Sequence, residues 1–236
     1  MVPNLDDLGG RFPPVDNALS SPNGLLAWGG TLSPRTLLAA YARGIFPWFG
    51  QGEPILWWCP SPRAVIFPKQ LHISRRFARD IRRYQWRAYL DRDFEGVMRQ
   101  CAQPRPGQPE TWITPEMMRA YGRLHESGHA HCLEVEINGV LAGGIYGVTL
   151  GQVFFGESMF STQTNGSKLA LKALCDTLVH SGYRLLDCQL PSPHLRRMGA
   201  VELALQDFRA LLPQAHERQP KPLLLPEVDW AHSAQC

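Results

Sequence analysis

The segment from Phe154 to Gln189 constrains the fold more than any other part of the chain. An apolar stretch that carries Glu157 leads through a polar turn into a helical pattern, and a second apolar stretch ends in Asp187 and Gln189. This pattern predicts a strand, a helix and a strand, and a right-handed crossover would set the second strand beside the first. Because a buried carboxylate without a partner costs several kcal/mol, these polar side chains are expected to face a pocket.

Three strands are predicted before that helix. Asn138 and Gly139 give the strongest short signal for a β-hairpin, and they separate two apolar stretches. An antiparallel meander is therefore predicted at residues 131–137, 140–146 and 152–160. Its combination with a helix and a returning strand is common in acyl-group transferases of the acetyltransferase type. The predicted fold class is α+β, with a meander and a β-α-β crossover.

The N-terminal part of the chain is predicted to form a small unit. Ser33 and Pro34 are a good start for a short helix that Gly44 ends. The sequence WCPSP, which ends at Pro62, is a natural joint. We therefore predict a small N-terminal α/β domain, residues 1–62, packed on an acetyltransferase-like domain, residues 63–236. The large rings near this joint either pack under a loop or form a stacking platform or pocket wall.

A cationic helix is predicted between residues 71 and 87. Its apolar positions recur at helical spacing, and Asp80 is the only acid. Five of its arginines are Arg75, Arg76, Arg79, Arg82 and Arg83. A solvated surface helix usually mixes acids and bases, so the pattern favours an anionic ligand over a plain solvated face. Arginine suits bidentate contact with phosphate, which makes an RNA or DNA backbone the natural candidate.

Further helices are predicted in the second half of the chain. One begins near Thr114 and ends at Gly128, where glycine suits a helix stop. Two shorter helices are predicted near residues 194–198 and 206–212. The tail after Pro213 is expected to be irregular.

Bulk properties exclude several classes of protein. The chain has 236 residues and 44% hydrophobic content, enough for a full core, and its net charge of +3 is too small for a general nucleic-acid binder. No stretch reaches the roughly 18 apolar residues of a membrane span, and no signal peptide is recognised. A cytoplasmic protein is expected. The six cysteines form no Cys-x-x-Cys pair, and the cluster of His125, His129 and His131 lacks a carboxylate at ligand spacing, so neither a disulfide framework nor a metal is expected.

Nine short strings occur in order between about Asn23 and about Phe208. They are GLLAWGG, AYARGIFPWF, WWCPSPRAV, TWIT, AYGRLHESGHAH, GGIYG, FFGESMFS, NGSK and LLDCQ. Together they resemble bacterial leucyl/phenylalanyl-tRNA:protein transferases. The resemblance implies an enzyme that moves Leu or Phe, and Met less well, from tRNA to the N-terminal Arg or Lys of a protein, where the new peptide bond creates a degradation signal. It implies no cofactor and no metal, and we expect a monomer.

The resemblance also implies site residues. The glutamate of GES and the acid and amide of DCQ are catalytic or substrate-orienting groups in this family, and they match Glu157, Asp187 and Gln189. The tryptophans of FPW and TWI match Trp48 and Trp112, near the terminal adenosine and the aminoacyl group. The other residues expected at the aminoacyl and adenosine site are Tyr121, Ile145, Phe154, Gly156, Ser158, Met159 and Leu174. The arginines of the cationic helix are expected to bind tRNA.

Four positions depart from the family pattern. Ile145 replaces a frequent methionine, Leu174 an aromatic residue, Gly166 an alanine and Phe155 a small residue. These changes affect the shape of the apolar slot expected from Ile145, Phe154, Met159 and Leu174, and so the preference between Leu and Phe. Each residue of the slot could equally be an ordinary core residue.

A hypothesis for the chemistry follows from the residue types. Strand alternation places Asp187 and Gln189 on one face, so Asp187 is expected to orient and polarise Gln189. The carbonyl of Gln189 would accept a hydrogen bond from the attacking amine, and Glu157 would pair with the acceptor's side chain or its ammonium. Alternatively, the acid and amide of the last strand satisfy backbone groups. The competing functions are an acetyl-CoA-dependent N-acetyltransferase, whose phosphate-binding pattern the turn SMFSTQTNGSK lacks, and a non-catalytic RNA-binding protein.

Overall fold

The structure is a computed structural model that describes residues 2–104, 111–216 and 221–226. The helices are α1 Pro34–Tyr41, α2 Arg75–Ile81, α3 Phe94–Cys101, α4 Pro115–Glu126, α5 Gly166–His180, α6 Pro193–Arg197 and α7 Leu205–His216. The strands are β1 Leu25–Trp28, β2 Phe46–Pro47, β3 Leu56–Trp58, β4 Arg63–Ile66, β5 Trp86–Leu90, β6 Ala130–Ile137, β7 Val140–Leu150, β8 Val153–Ser161, β9 Leu185–Gln189 and β10 Val201–Leu203.

The strands form a small sheet and a large sheet. The small sheet has the order β1-β3-β2, and the large one has the order β10-β4-β9-β8-β7-β6-β5. Among the strands of the described residues, β8 and β9 pair in parallel and all other neighbours are antiparallel. The predicted α+β class, the meander β6-β7-β8 and the crossover β8-α5-β9 are confirmed.

Local signals in the sequence place several of these elements correctly. The Ser33 hydroxyl accepts a hydrogen bond from the Thr36 backbone N–H at 3.2 Å and caps α1. Asn138 and Gly139 turn the β6-β7 hairpin with φ of 53° and 77°, as a two-residue turn of this kind requires. Helix α5 begins at Gly166, where a Cβ would lie 1.8 Å from the carbonyl oxygen of Ala142 on β7.

The predictions are wrong where long-range pairing decides the structure. The predicted cationic helix ends at Ile81, because Trp86 and the residues after it pair with β6 as strand β5. Helix α3, which follows β5, and strand β10, which pairs with β4, were not predicted. Helix α7 continues to His216, so the irregular tail begins later than expected.

Two hydrophobic clusters cover the two faces of the large sheet. Neighbouring residues of β8 alternate between them, since Phe155 belongs to the first cluster and Phe154 to the second. The first cluster also contains Tyr41 of α1 and Trp57 of β3, so the small sheet shares one core with the large one. The division of the chain after Pro62 stays a prediction.

Candidate active site

Glu157 lies at a bulge in the middle of β8. Tyr146 of β7 pairs with Ser158 and Gly147 pairs with Gly156, so Glu157 is the extra residue. A side chain at Gly147 has no room, because its Cβ would lie 2.1 Å from the carbonyl oxygen of Phe155. Such bulges re-aim a side chain. This one turns Glu157 toward the first cluster.

Three side chains from different parts of the chain donate hydrogen bonds to Glu157. The Tyr41 hydroxyl reaches Oε1 at 2.8 Å and the Tyr121 hydroxyl reaches Oε2 at 3.0 Å. The amide Nε2 of Gln189 reaches Oε1 at 2.8 Å. Helices α1 and α4 and strand β9 therefore meet at one carboxylate. Of these three donors, Tyr121 and Gln189 were expected in the site from the sequence, whereas Tyr41 was not.

Burial sets the protonation of this group. It raises the pKa of Glu157 from its ordinary value of 4.5 to about 7, although the two tyrosine hydrogen bonds act to lower it. Burial, followed by the charge of Glu157, raises the pKa of Tyr41 and of Tyr121 well above 10. Both hydroxyls therefore stay protonated near neutral pH, while Glu157 is able to gain or lose a proton there.

Gln189 is held in an unusual backbone conformation. Its φ is 62°, in the left-handed region, and its backbone N–H donates to Asp187 Oδ1 at 2.9 Å. The pairing with β4 is also irregular at this point, so the simple alternation predicted for Asp187 and Gln189 is interrupted. While Nε2 is bound to Glu157, the amide oxygen of Gln189 makes no hydrogen bond to the part of the chain that the structure describes.

Asp187 contacts Gln189 in a different way from the one predicted. It is 0% exposed, and its two oxygens accept hydrogen bonds from Arg63 Nε at 2.8 Å and Nη2 at 2.6 Å. The expected contact with the Gln189 side chain is replaced by a contact with its backbone. Sequence reasoning missed Arg63. The available signal was an arginine at the start of the apolar strand Arg63–Ile66, where a buried cation needs a buried acid.

The expected aminoacyl residues lie together but differ in exposure. Ile145, Phe154 and Leu174 are buried in the second cluster, and Met159 packs on its edge. Met159 lines a cavity of about 490 Å³ that also has polar walls, whereas the other three residues are not part of its lining. The other lining residues are Gln100, Gln103, Pro104, Phe160, Ser161, Thr162, Ser167, Ser192, His194 and Leu195. A cavity of this size is in the usual range for small-ligand sites.

The two expected tryptophans are partly accessible. Trp48 is 40% exposed and its ring centre lies 5.6 Å from that of Trp58. Trp112 is half-buried and packs against the first cluster. Gly156 and Ser158, which flank Glu157, are also half-buried. Another cavity, of about 500 Å³, is lined by Phe67, Tyr183 and Leu211 among others and includes none of the predicted site residues.

The cationic surface consists of Arg75, Arg76, Arg79, Arg82 and Arg83. All five are exposed, and within the described residues none of them forms a salt bridge. The other face of α2 buries Phe77 and Ile81. Asp80 accepts a hydrogen bond from Asn165 at 3.1 Å, which links α2 to the start of α5.

Ranges 2–104, 111–216 and 221–226 contain no group of three His, Cys, Asp or Glu side chains that could hold a metal ion. In the same ranges, no helix combines the length and apolar character that crossing a membrane demands.

A carboxylate bonded to an amide at the end of a β-α-β crossover is compatible with an enzyme of the acyl- or aminoacyltransferase class. The family described as leucyl/phenylalanyl-tRNA protein transferase matches residues 65–213, and the N-terminal domain of that family matches residues 30–61. The chain belongs to this family, and its reaction class is transfer of an aminoacyl group from tRNA to protein.

Relatives named leucyl/phenylalanyl-tRNA--protein transferase match over most of their length. The protein from Chromobacterium violaceum is 48% identical and the match covers 94% of this chain and 95% of that one. The protein from Alkalilimnicola ehrlichii is 53% identical, with 89% and 83% covered. Among solved structures, a GCN5-related N-acetyltransferase from Kribbella flavida is 11% identical over 72% of this chain and 61% of that one, with a TM-score of 0.40.

Proposed function

We propose that this chain transfers leucine or phenylalanine, and methionine less well, from aminoacyl-tRNA to the N-terminal Arg or Lys of an acceptor protein. The new peptide bond would mark the acceptor for degradation. The observation that carries the proposal is the 2.8 Å hydrogen bond between Gln189 and Glu157, in a chain of this family.

The reaction is aminolysis of an ester. The α-amine nitrogen of the acceptor attacks the ester carbonyl carbon, a C–N bond forms, and the bond from that carbon to the ribose oxygen breaks. The proton lost by the amine is balanced by the proton gained by the ribose oxygen. An α-amine has a pKa of about 8, so roughly a tenth is neutral at pH 7 and a strong base is not required.

Gln189 receives the amine in this scheme. An ionised carboxylate only accepts hydrogen bonds, so Nε2 faces Glu157 and Oε1 is left for the substrate. As positive charge develops on the amine, Oε1 accepts its hydrogen bond. Asp187 is buried and does not touch the substrate, and it positions Gln189 through the backbone.

Glu157 orients Gln189 and the acceptor. Its pKa of about 7 allows it to hold an ammonium as a carboxylate or to take up a proton near neutral pH. We propose that this group selects acceptors with a free α-amine and a cationic side chain. Measured affinity for an Arg-initiated peptide should fall in Glu157→Gln, and unchanged binding and selectivity would contradict the assignment.

The aminoacyl side chain is proposed to lie in the apolar region around Met159, at the cavity of about 490 Å³. Ile145, Phe154 and Leu174 support that region from the second cluster. Burial of a leucine-sized group contributes roughly 2 kcal/mol, and small or β-branched side chains fill such a slot poorly. Trp48, Trp112, Tyr121, Gly156 and Ser158 are proposed to line the path of the terminal adenosine and the ester.

The tRNA body is proposed to bind the cationic surface. Within the described residues its arginines form no salt bridge. Arg75, Arg76 and Arg79 lie on α2, whose opposite face is docked in the core, and Arg82 and Arg83 follow directly after it, an arrangement that suits phosphate contacts. We also propose that the chain acts as a monomer in the cytoplasm, with residues 1–62 and 63–236 as two domains. Acetyl-CoA-dependent transfer and RNA binding without catalysis are not favoured, given the family.

One experiment tests the function. The protein is incubated separately with labelled Leu-, Phe- and Met-tRNA and a peptide that begins with Arg, and label transfer is followed. The control peptide has the same sequence with an acetylated α-amine. Transfer to the free peptide alone is expected, from Leu- and Phe-tRNA and, less well, from Met-tRNA. Equal labelling of both peptides, or no labelling of either, would overturn the proposal.

A further inference from the structure

We propose that Arg63 is a positioning residue for the transfer reaction, because it fixes Asp187 and thereby the backbone of Gln189. The inference rests on the proposed function. It concerns a residue that reaches neither the solvent nor a substrate, since Arg63 is 0% exposed.

Three separate segments hold the Arg63 guanidinium in place. Asp187 on the neighbouring strand β9 binds it through both carboxylate oxygens. The rings of Phe46 and Phe208, from β2 and α7, each lie 4.8 Å from its Cζ. Such a planar, two-pronged contact fixes the orientation of the acid as well as its charge. Asp187 is therefore held in one rotamer.

The fixed carboxylate then holds the backbone of Gln189. Asp187 Oδ1 accepts from Arg63 Nε and also from the Gln189 backbone N–H. A left-handed φ of 62° is unfavourable for a residue with a side chain and persists only where the surroundings enforce it. The conformation at Gln189 is what points its amide at Glu157, so the geometry of the reacting centre depends on the buried pair.

Stability alone does not account for this arrangement. A buried ion pair is often no more stabilising than apolar residues of the same volume. An apolar pair at these positions could fill the space but could not accept the Gln189 N–H. In the described part of the chain, Arg63 Nη1 is buried and has no partner, so the guanidinium is not even fully satisfied by the fold. A cation at position 63 is therefore better explained by its contact with Asp187 than by stability.

A double-mutant cycle in kcat separates positioning from stability. Arg63→Gln, Gln189→Ala and the double variant are compared using an aminoacyl-adenosine donor and an Arg-initiated peptide. Arg63→Gln is expected to lower kcat by about 100-fold with little change in KM, because misplacement of a reacting group by about 1 Å has an effect of this size. In the Gln189→Ala background the same change should cause no further loss of kcat, although it lowers Tm equally in both backgrounds.

The matched control is Arg92→Gln. Arg92 forms salt bridges with Glu134 and Glu136 on β6, away from Gln189, so this variant should lose Tm and keep kcat. If Arg63→Gln does not fold, Arg63→Lys replaces it, since lysine keeps the charge and loses the two-pronged contact.

A crystal structure of the Arg63 variant gives a readout that does not depend on activity. We expect the Gln189 Nε2 to Glu157 distance to lengthen and φ of Gln189 to leave the left-handed region. Unchanged kcat, an unchanged Gln189–Glu157 contact, or an equal loss of kcat in the Gln189→Ala background would each overturn the inference. Absence of transfer by the wild-type protein would instead overturn the proposed function.

Discussion

The side-chain amide of Gln189 donates a 2.8 Å hydrogen bond to Oε1 of Glu157, which is 32 positions earlier in the sequence. The contact joins the last residue of β9 to the bulge in β8, so it exists only because the crossover places these two strands side by side. It couples an amide that can accept from an amine to a carboxylate that titrates near neutral pH.

Loss of the Gln189 amide is expected to reduce turnover more than binding. Gln189→Ala should lower kcat by roughly 100-fold or more, a typical loss for one preorganised polar contact, and leave KM for tRNA within a few fold. Steady-state kinetics with Leu-tRNA measures both. The control is Gln152→Ala, whose side chain bonds to Gly182 outside the site. Near-normal turnover of Gln189→Ala would contradict the assignment.

The raised pKa of Glu157 predicts a pH-dependent stability difference. In the folded state the group binds its proton up to about pH 7, and in the unfolded state only up to about its ordinary pKa of 4.5. Between these pH values the folded protein holds more protons than the unfolded protein. The contribution of Glu157 to the free energy of unfolding therefore falls as pH rises, by up to about 1.4 kcal/mol per pH unit.

Glu157→Gln removes this proton-binding difference. The unfolding free energy of wild type minus that of the variant should decrease between about pH 4.5 and 7 and level off above. Denaturant unfolding at a series of pH values measures it. A difference that is constant over this window would show that Glu157 titrates normally in the folded state.

The two tyrosine donors are expected to tune Glu157. Tyr41→Phe removes one hydrogen bond to the ionised carboxylate, and the same holds for Tyr121→Phe, so each should raise the pKa of Glu157 further. The lower limit of the pH window in which kcat is maximal should move to higher pH. Tyr89→Phe, which removes a similar bond to Glu136, is the control and should leave the profile unchanged.

The cationic surface is expected to act on tRNA binding alone. Arg76→Ala combined with Arg83→Ala should raise KM for Leu-tRNA and flatten its salt dependence, since about two phosphate contacts are lost. Turnover of an aminoacyl-adenosine donor should be unchanged. Arg99→Ala with Arg209→Ala, which removes exposed arginines that already pair with acids, is the control. Equal losses with both donors would contradict the proposal.

The sequence predicts the elements whose signals are local. The cap at Ser33 and the hairpin at Asn138 each depend on a few neighbouring residues, and the crossover that ends at Gln189 follows from three elements that are consecutive in the chain. The acidic and amide residues of the site were found in the same way, because a polar residue in an apolar strand is visible in one short stretch.

The remaining features depend on contacts between distant residues. Arg63 is 124 positions from Asp187, and Tyr41 is 116 positions from Glu157. No local pattern reports such pairs. Strand β5 was not predicted, because the helical spacing of apolar residues before it was extended through residue 87, whereas pairing with β6 makes the segment a strand. The bulge at Glu157 is likewise a property of two strands together.

Because the Arg63–Asp187 pair is fully buried, it should respond to salt differently from the exposed arginines of the cationic surface. Dissolved ions largely screen attractions between water-exposed groups that are further apart than a Debye length of about 10 Å at 0.1 M, and they screen a pair with no exposure much less. Raising the ionic strength should therefore weaken binding of the polynucleotide to the cationic surface, while the position of the Gln189 amide stays unchanged. A salt titration should report on the exposed arginines of that surface and not on Arg63.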